Sequence, residues 1–357
     1  MLNRESKRGV LRAALVAVAA TSLVACGDKD TVQLTGAGAT FPYPIYSKWF
    51  DAFYNETGHQ VNYQSIGSGA GVKQFTEGTV DFGATDGPMT DEEIAAVGGA
   101  VVHLPTVLGA DVVTWNLPSL GETQLRFDGA TLADIFLGKI KRWDDPRLAA
   151  LNPGVALPSL DILVVHRADG SGTTFIWTDY LSTVSPEWSA KIGRGKSVNW
   201  PTGVGGKGNE GVTQQVKQVE GTIGYVELIY ASANGLPYGA IKNRSGQFVL
   251  PTLESVSAAA AGVDLAADTD FRVSIVDAAG ADAYPVASFT WLLVRPDMAD
   301  AAKARAIRDF LRWMTRPEAA AMAAELHYAP LPKSVADLVA ARIETLTAGG
   351  APIADGR

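Results

Sequence analysis

The sequence predicts an α/β fold with parallel β-sheets, because strand-like and helix-like segments alternate along most of the chain. Apolar residues recur every four positions between residues 45 and 54, and Gly58 follows where a helix commonly ends. Residues 61–66 then alternate between apolar and polar, as a half-buried strand does. Alternation of this kind is typical of parallel sheets covered by helices.

The later elements continue this pattern. A capping-box sequence begins a helix at Thr90, and residues 101–115 are apolar and β-rich, with Pro105 and Gly109 expected to interrupt them. Further strands are predicted at 79–84, 161–166, 223–227 and 289–294, and further helices at 173–181, 211–219 and 301–314. No Pro- or Ser-rich linker divides the chain, so we expect lobes joined by strands that cross between them, one lobe being discontinuous in sequence.

The first 25 residues have the composition of a signal peptide. An apolar run at 13–24 follows a basic segment and is too short to span a bilayer comfortably. The run ends in Leu23-Val24-Ala25-Cys26-Gly27, which resembles the bacterial lipobox, and Cys26 is the single cysteine. A buried structural cysteine is the alternative. We predict removal of residues 1–25, lipidation of Cys26 with palmitate among the acyl groups, and a tether at 26–33, which holds the protein outside the cytoplasmic membrane.

The mature chain is acidic. Removing the four basic residues and one acidic residue of the signal from 30 Lys and Arg and 38 Asp and Glu leaves 26 against 37, a net charge of −11. A chain of this charge with no basic run excludes nucleic acid as a partner. An anionic ligand would therefore be held by local dipoles.

Four segments rich in Gly, Ser and Thr follow predicted strands at the starts of predicted helices. They are Thr35-Gly36-Ala37-Gly38-Ala39-Thr40-Phe41, Ile66-Gly67-Ser68-Gly69-Ala70-Gly71, Asp81-Phe82-Gly83-Ala84-Thr85-Asp86-Gly87-Pro88 and Arg167-Ala168-Asp169-Gly170-Ser171-Gly172-Thr173-Thr174. Unpaired N–H groups at a helix N-terminus bind anions without a basic side chain. Taken singly, each segment is also compatible with a plain turn or a flexible loop. No Walker-type nucleotide motif is present.

Three of these regions, taken as residues 34–42, 80–86 and 167–173, resemble the phosphate-specific transport substrate-binding protein of bacterial ABC importers. Three more segments share the resemblance, which runs in the same order from about Leu34 into the C-terminal helices. They are Leu137-Gly138-Lys139-Ile140-Lys141-Arg142-Trp143-Asp144-Asp145, Gly205-Gly206-Lys207-Gly208-Asn209 and Gly224-Tyr225-Val226-Glu227. Two departures are His166, where a second basic residue is expected, and the varied glycine run Gly69-Ala70-Gly71.

The resemblance implies a two-lobed periplasmic-binding-protein fold of type II, each lobe a mainly parallel sheet flanked by helices, with phosphate in the cleft. Lobe I would comprise residues 34–108 plus 286–357 and lobe II residues 109–285, with the hinge in the strands near 107–114 and 288–294. The phosphate ligands carried over from the family are Thr40, Phe41 through its backbone N–H, Ser68, Asp86, Arg167, Ser171, Gly172 and Thr173. Asp169 would pair with Arg167 and fix its guanidinium group.

Asp86 is the expected determinant of specificity. Its carboxylate would accept a hydrogen bond from a protonated phosphate oxygen, whereas sulfate carries no such proton at neutral pH. The resulting repulsion corresponds to discrimination of about a thousandfold or more. The alternative is that Asp86 only caps a helix or supports a turn.

The resemblance thus implies a monomeric receptor, not an enzyme, that binds inorganic phosphate in the periplasm or at the outer face of the cytoplasmic membrane. It would deliver phosphate to an inner-membrane ABC permease and its ATPase by hinge closure, without a cofactor. One alternative is a binding protein for sulfate, molybdate or tungstate. Another is a secreted serine hydrolase or phosphatase using Ser171, but no Gly-x-Ser-x-Gly motif is present. His59, His103, His166 and His327 are scattered and suggest no metal site.

Overall fold

The computed structural model describes residues 31–355, so the predicted signal peptide and Cys26 lie outside the described residues. The strands are β1 Gln33–Gly38, β2 Gln60–Ser65, β3 Phe82–Thr85, β4 Val102–Trp115, β5 Arg126–Phe127, β6 Leu163–Arg167, β7 Val204–Gly206, β8 Thr222–Glu227, β9 Ala240–Lys242, β10 Phe248–Val249, β11 Ala287–Val294, β12 Asp297–Met298, β13 Thr347–Ala348 and β14 Ala351–Pro352. The helices are α1 Tyr43–Thr57, α2 Ser68–Thr76, α3 Asp91–Ala96, α4 Gly129–Phe136, α5 Pro146–Leu151, α6 Gly172–Val184, α7 Pro186–Lys191, α8 Gly208–Gln218, α9 Leu228–Ser232, α10 Leu253–Ala260, α11 Ala301–Met314, α12 Pro317–Glu325 and α13 Lys333–Ile343.

Eight strands form the main sheet in the order β2-β1-β3-β11-β4-β8-β6-β7. Strand β1 is parallel to β2 and β3, and β6 is parallel to β7 and β8. The antiparallel strands β11 and β4 lie between these two parallel groups. The predicted α/β class is confirmed, and each parallel group with its helices forms one lobe.

Strand β4 belongs to both groups. Its residues up to Ala110 pair with β11, and its residues from Asp111 onward pair with β8. The expectation that Pro105 and Gly109 interrupt this segment was wrong. The register of β11 shifts between Thr290 and Trp291, opposite Pro105, and such a bulge accommodates a residue that has no N–H to donate.

Gly109 has a packing role instead. A Cβ atom at this position would lie 2.4 Å from the ring of Phe41. The glycine therefore lets this ring pack directly against β4, beside the turn that begins α1. Phe41 is fully buried there, and its ring meets that of Tyr328 edge-on at a centroid distance of 6.3 Å.

The predicted local signals of the helices are confirmed. Helix α1 ends at a left-handed Gly58, and Thr90 and Glu93 form both hydrogen bonds of the capping box of α3. Helix α11 has the predicted bounds. Within residues 31–355, no helix combines the length and apolar character that crossing a membrane requires.

Aromatic side chains fill the core between the helices and the sheet. Phe50 on α1 packs between Phe82 of β3 and Phe310 of α11, with ring centroids 6.2 and 5.2 Å away. In the other lobe, Trp177 of α6 stacks on Tyr225 of β8 at 5.2 Å. Each buried aromatic ring stabilises the fold by about 1.5–3 kcal/mol, which fixes the helices against the strand ends that carry the site.

Candidate anion-binding site

The site residues predicted from sequence lie at the carboxyl ends of strands and at the starts of the helices that follow, where open α/β sheets bind ligands. Thr40 and Phe41 follow β1, Asp86 follows β3, and Arg167 ends β6. Ser68 begins α2, and Ser171 to Thr173 form the start of α6. All of these residues are buried.

For two of the four small-residue segments, the prediction that they lie at the ligand site is only partly right. Residues 35–38 lie within β1 and residues 82–85 within β3, so only the ends of these segments reach the site. The glycines inside β1 serve close packing, since a Cβ on Gly38 would lie 2.0 Å from the carbonyl oxygen of Ala84 on β3. Because a tightly packed strand and a ligand-binding loop are both rich in small residues, the sequence pattern did not distinguish the strand residues from the site residues.

The N-terminus of α6 faces the N-terminus of α2. Ser171 is the N-cap residue of α6, and its hydroxyl oxygen accepts a 3.0 Å hydrogen bond from the backbone N–H of Thr174. The N–H of Gly172 donates to Oγ of Ser68 at 3.0 Å. A Cβ on Gly172 would lie 2.5 Å from Oδ2 of Asp86, so this approach is open to glycine alone. The arrangement concentrates N–H donors and hydroxyl groups at one point.

Arg167 is held by Asp169 in a two-point ion pair. Nε lies 2.8 Å from Oδ1 and Nη2 lies 2.5 Å from Oδ2, and Nη1 donates to Oγ1 of Thr173 at 3.2 Å. Burial opposes ionisation of Asp169, but the hydrogen bonds and the charge of Arg167 outweigh burial and lower the pKa of the carboxyl group. The N–H of Gly208 also donates to Asp169, at 2.9 Å. The guanidinium group is therefore fixed at the site.

Asp86 is a buried carboxyl group among these donors. Its Oδ1 accepts a 2.7 Å hydrogen bond from Thr290, and Oγ of Ser68 lies 3.4 Å from Oδ2. Burial raises the pKa of Asp86 from 3.8 to about 7, against the lowering effects of Thr290, Arg167 and Ser68. A carboxyl group that changes protonation near neutral pH is suited to detect a proton on a bound anion.

Sequence reasoning missed Asn209, which links the two sides of the site. Its Nδ2 donates to Oγ1 of Thr40 at 2.8 Å and to Oγ1 of Thr173 at 3.1 Å, and its Oδ1 accepts from the N–H of Glu227 at 3.1 Å. The glycine-rich segment before Asn209 was the available signal. Thr290 was also missed, since a threonine inside an apolar strand carries no sequence signal of contact with Asp86.

His166 packs against an aromatic side chain beside the site. Its ring stacks on Trp200 at a centroid distance of 4.8 Å, and burial lowers its pKa. Its Nδ1 lies 3.0 Å from the carbonyl oxygen of Arg167. Among residues 31–355, no cluster of His, Cys, Asp and Glu side chains could hold a metal ion.

The fold and the site define a two-lobed substrate-binding protein of type II, with polar donors gathered at the strand ends between the lobes. The sequence profile of the PBP superfamily domain matches residues 25–318. The phosphate-binding protein PstS of Pasteurella multocida is 45% identical over 334 residues, covering 94% of this chain and 96% of the relative. A protein of the same name from Methanocaldococcus jannaschii is 40% identical, covering 87% of this chain and 85% of the relative.

The chain belongs to the PstS family of phosphate-binding proteins, which is a family of binding proteins and not of enzymes. The solved structure of a high-affinity periplasmic phosphate-binding protein, PfluDING, has the same fold, with a TM-score of 0.71 at 21% identity. It covers 87% of this chain and 93% of its own.

Proposed function

We propose that this protein binds inorganic phosphate outside the cytoplasmic membrane and delivers it to an ABC import permease and its ATPase. Membership of the PstS family supports the proposal, and Asp86 is the single observation that carries it. A buried carboxyl group within a ring of donors suits an anion that itself carries a proton. The hydrogen-bond donors alone, without Asp86, would suit any tetrahedral oxyanion.

In the proposed complex, phosphate accepts hydrogen bonds from backbone N–H groups, hydroxyl groups and one guanidinium group. The donors are the N–H groups of Phe41 and Gly172, the hydroxyl groups of Thr40, Ser68, Ser171 and Thr173, and the side chain of Arg167. Asp86 accepts the hydrogen bond from the protonated phosphate oxygen. Asp169 does not touch the ligand and acts by orienting Arg167 through their paired hydrogen bonds of 2.8 and 2.5 Å.

Ligand delivery depends on closure of the two lobes, residues 34–108 plus 286–357 and residues 109–285. The change of partner on β4, from β11 up to Ala110 to β8 from Asp111, supports this division. The two segments touch at the site, where the N–H of Gly69 donates to the carbonyl oxygen of Gly170 at 2.8 Å and the N–H of Gly172 donates to Ser68 at 3.0 Å. Phosphate bridging the same helix ends stabilises the closed form that a permease recognises, with β4 and β11 serving as the hinge.

The deciding experiment is calorimetric titration of the purified protein with phosphate and with sulfate. We expect the wild-type chain to bind phosphate tightly and to reject sulfate, and the Asp86→Asn variant to lose most of this discrimination. Asp51→Asn removes the same charge from an exposed position on α1 and should change neither titration. Tight sulfate binding by the wild-type chain, unaffected by Asp86→Asn, would overturn the proposed specificity, and turnover of a chromogenic phosphate ester would favour an enzyme.

The proposed location is the periplasm or the outer face of the cytoplasmic membrane, where a monomer is held by a lipid on Cys26. The lipobox-like sequence supports this proposal. Cells expressing the full chain should incorporate labelled palmitate into the protein, and Cys26→Ala should abolish the label. Retention of label in that variant would exclude Cys26 as the acylated residue. The proposed monomer is tested by sedimentation of the unlipidated chain.

A further inference from the structure

Two buried acidic residues face each other where β4 changes partner strands. Asp111 is the first residue of β4 that pairs with β8, and its partner in the register is Glu227. Paired residues of antiparallel strands present their side chains on the same face, with Cβ atoms about 4.5–5.5 Å apart. Both residues are 0% exposed.

Most of the oxygen atoms of this pair have no hydrogen-bond partner among the described residues. These are Oδ1 and Oδ2 of Asp111 and Oε1 of Glu227. The remaining oxygen, Oε2 of Glu227, accepts from the N–H of Ile229 at 2.9 Å, and the hydroxyl oxygen of Tyr328 lies 3.3 Å from it. Two adjacent buried carboxylates with so few donors would repel each other at high cost, whereas one shared proton joins an oxygen of each group and removes one of the two charges.

Among residues 31–355, no Lys, Arg or His side chain forms an ion pair with Asp111 or Glu227. The charged and titratable groups that act on the pair are Asp86, Arg167, Tyr225, Tyr230, Tyr284 and Tyr328, and Glu210 lies next to Tyr230. Arg167 is the only cation in this set, and it is already paired with Asp169. Burial raises the pKa of Asp111 well above its usual range, the charges of Asp86 and Glu227 raise it further, and Arg167 only partly opposes them. Burial likewise raises the pKa of Glu227.

We propose that Asp111 and Glu227 form a proton-binding site beneath the anion site, in which the two carboxyl groups share one proton at neutral pH. The pair then carries one negative charge instead of two, and the shared proton forms a hydrogen bond between β4 and β8. Because two coupled acids lose their protons in separate steps, the proton belongs to the pair and not to either residue.

The pair is connected to the proposed phosphate ligands through two side chains. Asn209 bonds the N–H of Glu227 and also both Thr40 and Thr173. Tyr328 donates to the carbonyl oxygen of Phe41 at 2.6 Å as well as contacting Glu227. A second negative charge on the pair would therefore act on a bound anion from within the protein, where screening by salt is weak.

One consequence rests on the proposed function. When rising pH removes the shared proton, the added charge should weaken phosphate binding. A unit charge about 10 Å from an anion changes its affinity about tenfold at an effective dielectric constant of about 20. This loss of phosphate affinity adds to any effect of pH on phosphate itself and on Asp86. It should be absent in a variant whose residue 111 carries no charge.

The primary test is infrared spectroscopy of the ligand-free protein at pH 7.5, which detects the carbonyl stretch of a protonated carboxyl group. The measurement uses the Asp86→Asn background, because Asp86 itself titrates near neutral pH. We expect a protonated carboxyl band that shifts in D₂O and that either Asp111→Asn or Glu227→Gln removes. Asp51→Asn should leave it unchanged, since Asp51 is exposed.

Absence of the band, or its survival in either variant, would overturn the shared proton. A second measurement follows phosphate affinity between pH 7 and 9.5 with Asp86 intact. We expect wild-type affinity to fall about tenfold more than that of Asp111→Asn. Parallel profiles would overturn the effect on the anion. If the wild-type chain binds no phosphate, the proposed function fails, and the infrared result still decides the state of the pair.

Discussion

The hydroxyl group of Thr290 lies 2.7 Å from Oδ1 of Asp86 and connects β11 to the end of the neighbouring strand β3. The register shift of β11 occurs directly after Thr290. A bulge changes the direction of nearby side chains, so the irregularity that accommodates Pro105 also accompanies the contact with Asp86. The hydrogen bond stabilises the ionised carboxylate and lowers the pKa of Asp86 against the larger effect of burial.

We therefore expect Thr290→Val to reduce discrimination between phosphate and sulfate. Without the donor, the pKa of Asp86 rises above about 7, and a protonated Asp86 can donate to sulfate instead of repelling it. The ratio of the two affinities at pH 7 should fall about tenfold, the effect of one hydrogen bond to a charged group. Calorimetric titration with phosphate and with sulfate measures this ratio. Thr106→Val is the matched control, because the hydroxyl group of Thr106 bonds Tyr46 and the backbone carbonyl oxygen of Thr290 but not Asp86. An equal loss of discrimination in Thr106→Val would refute the role assigned to the side chain of Thr290.

Gly172→Ala should weaken anion binding while leaving the fold intact. The added methyl group would lie 2.5 Å from Asp86 and 2.6 Å from Oγ of Ser68, so the two helix ends must separate. Overpacking of this kind costs about 1–3 kcal/mol, which weakens binding by about ten- to a hundredfold. Phosphate titration with circular dichroism checks both statements. Gly99→Ala is the control, since its Cβ would meet nothing within 4 Å; unchanged affinity in Gly172→Ala would show that this approach is not needed.

An ion pair across the cleft should contribute modestly to affinity. Nζ of Lys196 lies 2.6 Å from Glu93 of α3, and the two side chains are 12% and 31% exposed. Lys196→Met and Glu93→Gln should each weaken phosphate binding about threefold, with a coupling energy of about 0.5–1 kcal/mol in a double-mutant cycle. The effect should shrink at high salt. Lys73→Met removes a partner from an exposed pair at the C-terminal end of α2 and serves as the control. Additive losses in the cycle would show that the pair of Lys196 and Glu93 does not contribute.

The stability of the ligand-free protein should fall as the pH rises from about 4 to about 7. The pKa of Asp86 is raised from 3.8 to about 7 in the fold, so its stabilising contribution is complete below about pH 4 and is lost by about pH 7. The loss attributable to Asp86 is about 4 kcal/mol over this range. Urea unfolding of wild type and Asp86→Asn at several pH values isolates this contribution. A pH dependence equal in both proteins would show that Asp86 remains ionised in the fold.

Much of the fold was predictable because its signals are local. The periodicity of α1, the glycine that ends it and the capping box of α3 each depend on residues within one element. The error at Pro105 has a physical reason: a proline usually ends a strand, but here β4 continues past it through a bulge, in which Thr106 has no partner on β11. The sequence of β4 does not show that its pairing with β11 shifts at this point.

The candidate site was predicted to the extent that its residues follow strands in recognisable segments. The starts of α2 and α6 lie so close together that only small residues fit before Ser68 and around Gly172. The resulting pattern of small residues is therefore visible in the sequence. Asn209 and Thr290 contact the site from 169 and 204 residues away from Thr40 and Asp86, respectively. Asp111 stands alone as an acidic residue in an apolar strand. These relationships arise from tertiary packing and have no local pattern.

The shared strand β4 limits how the two lobes can separate. Its backbone N–H and C=O groups are committed to β11 on one stretch and to β8 on the next, with one continuous chain between them. Translation of one lobe along the other would break these bonds in both stretches, whereas twisting of β4 about its own axis preserves them. The two lobes can therefore rotate relative to each other by a twist of β4, whereas sliding of one lobe along the other requires breaking strand hydrogen bonds.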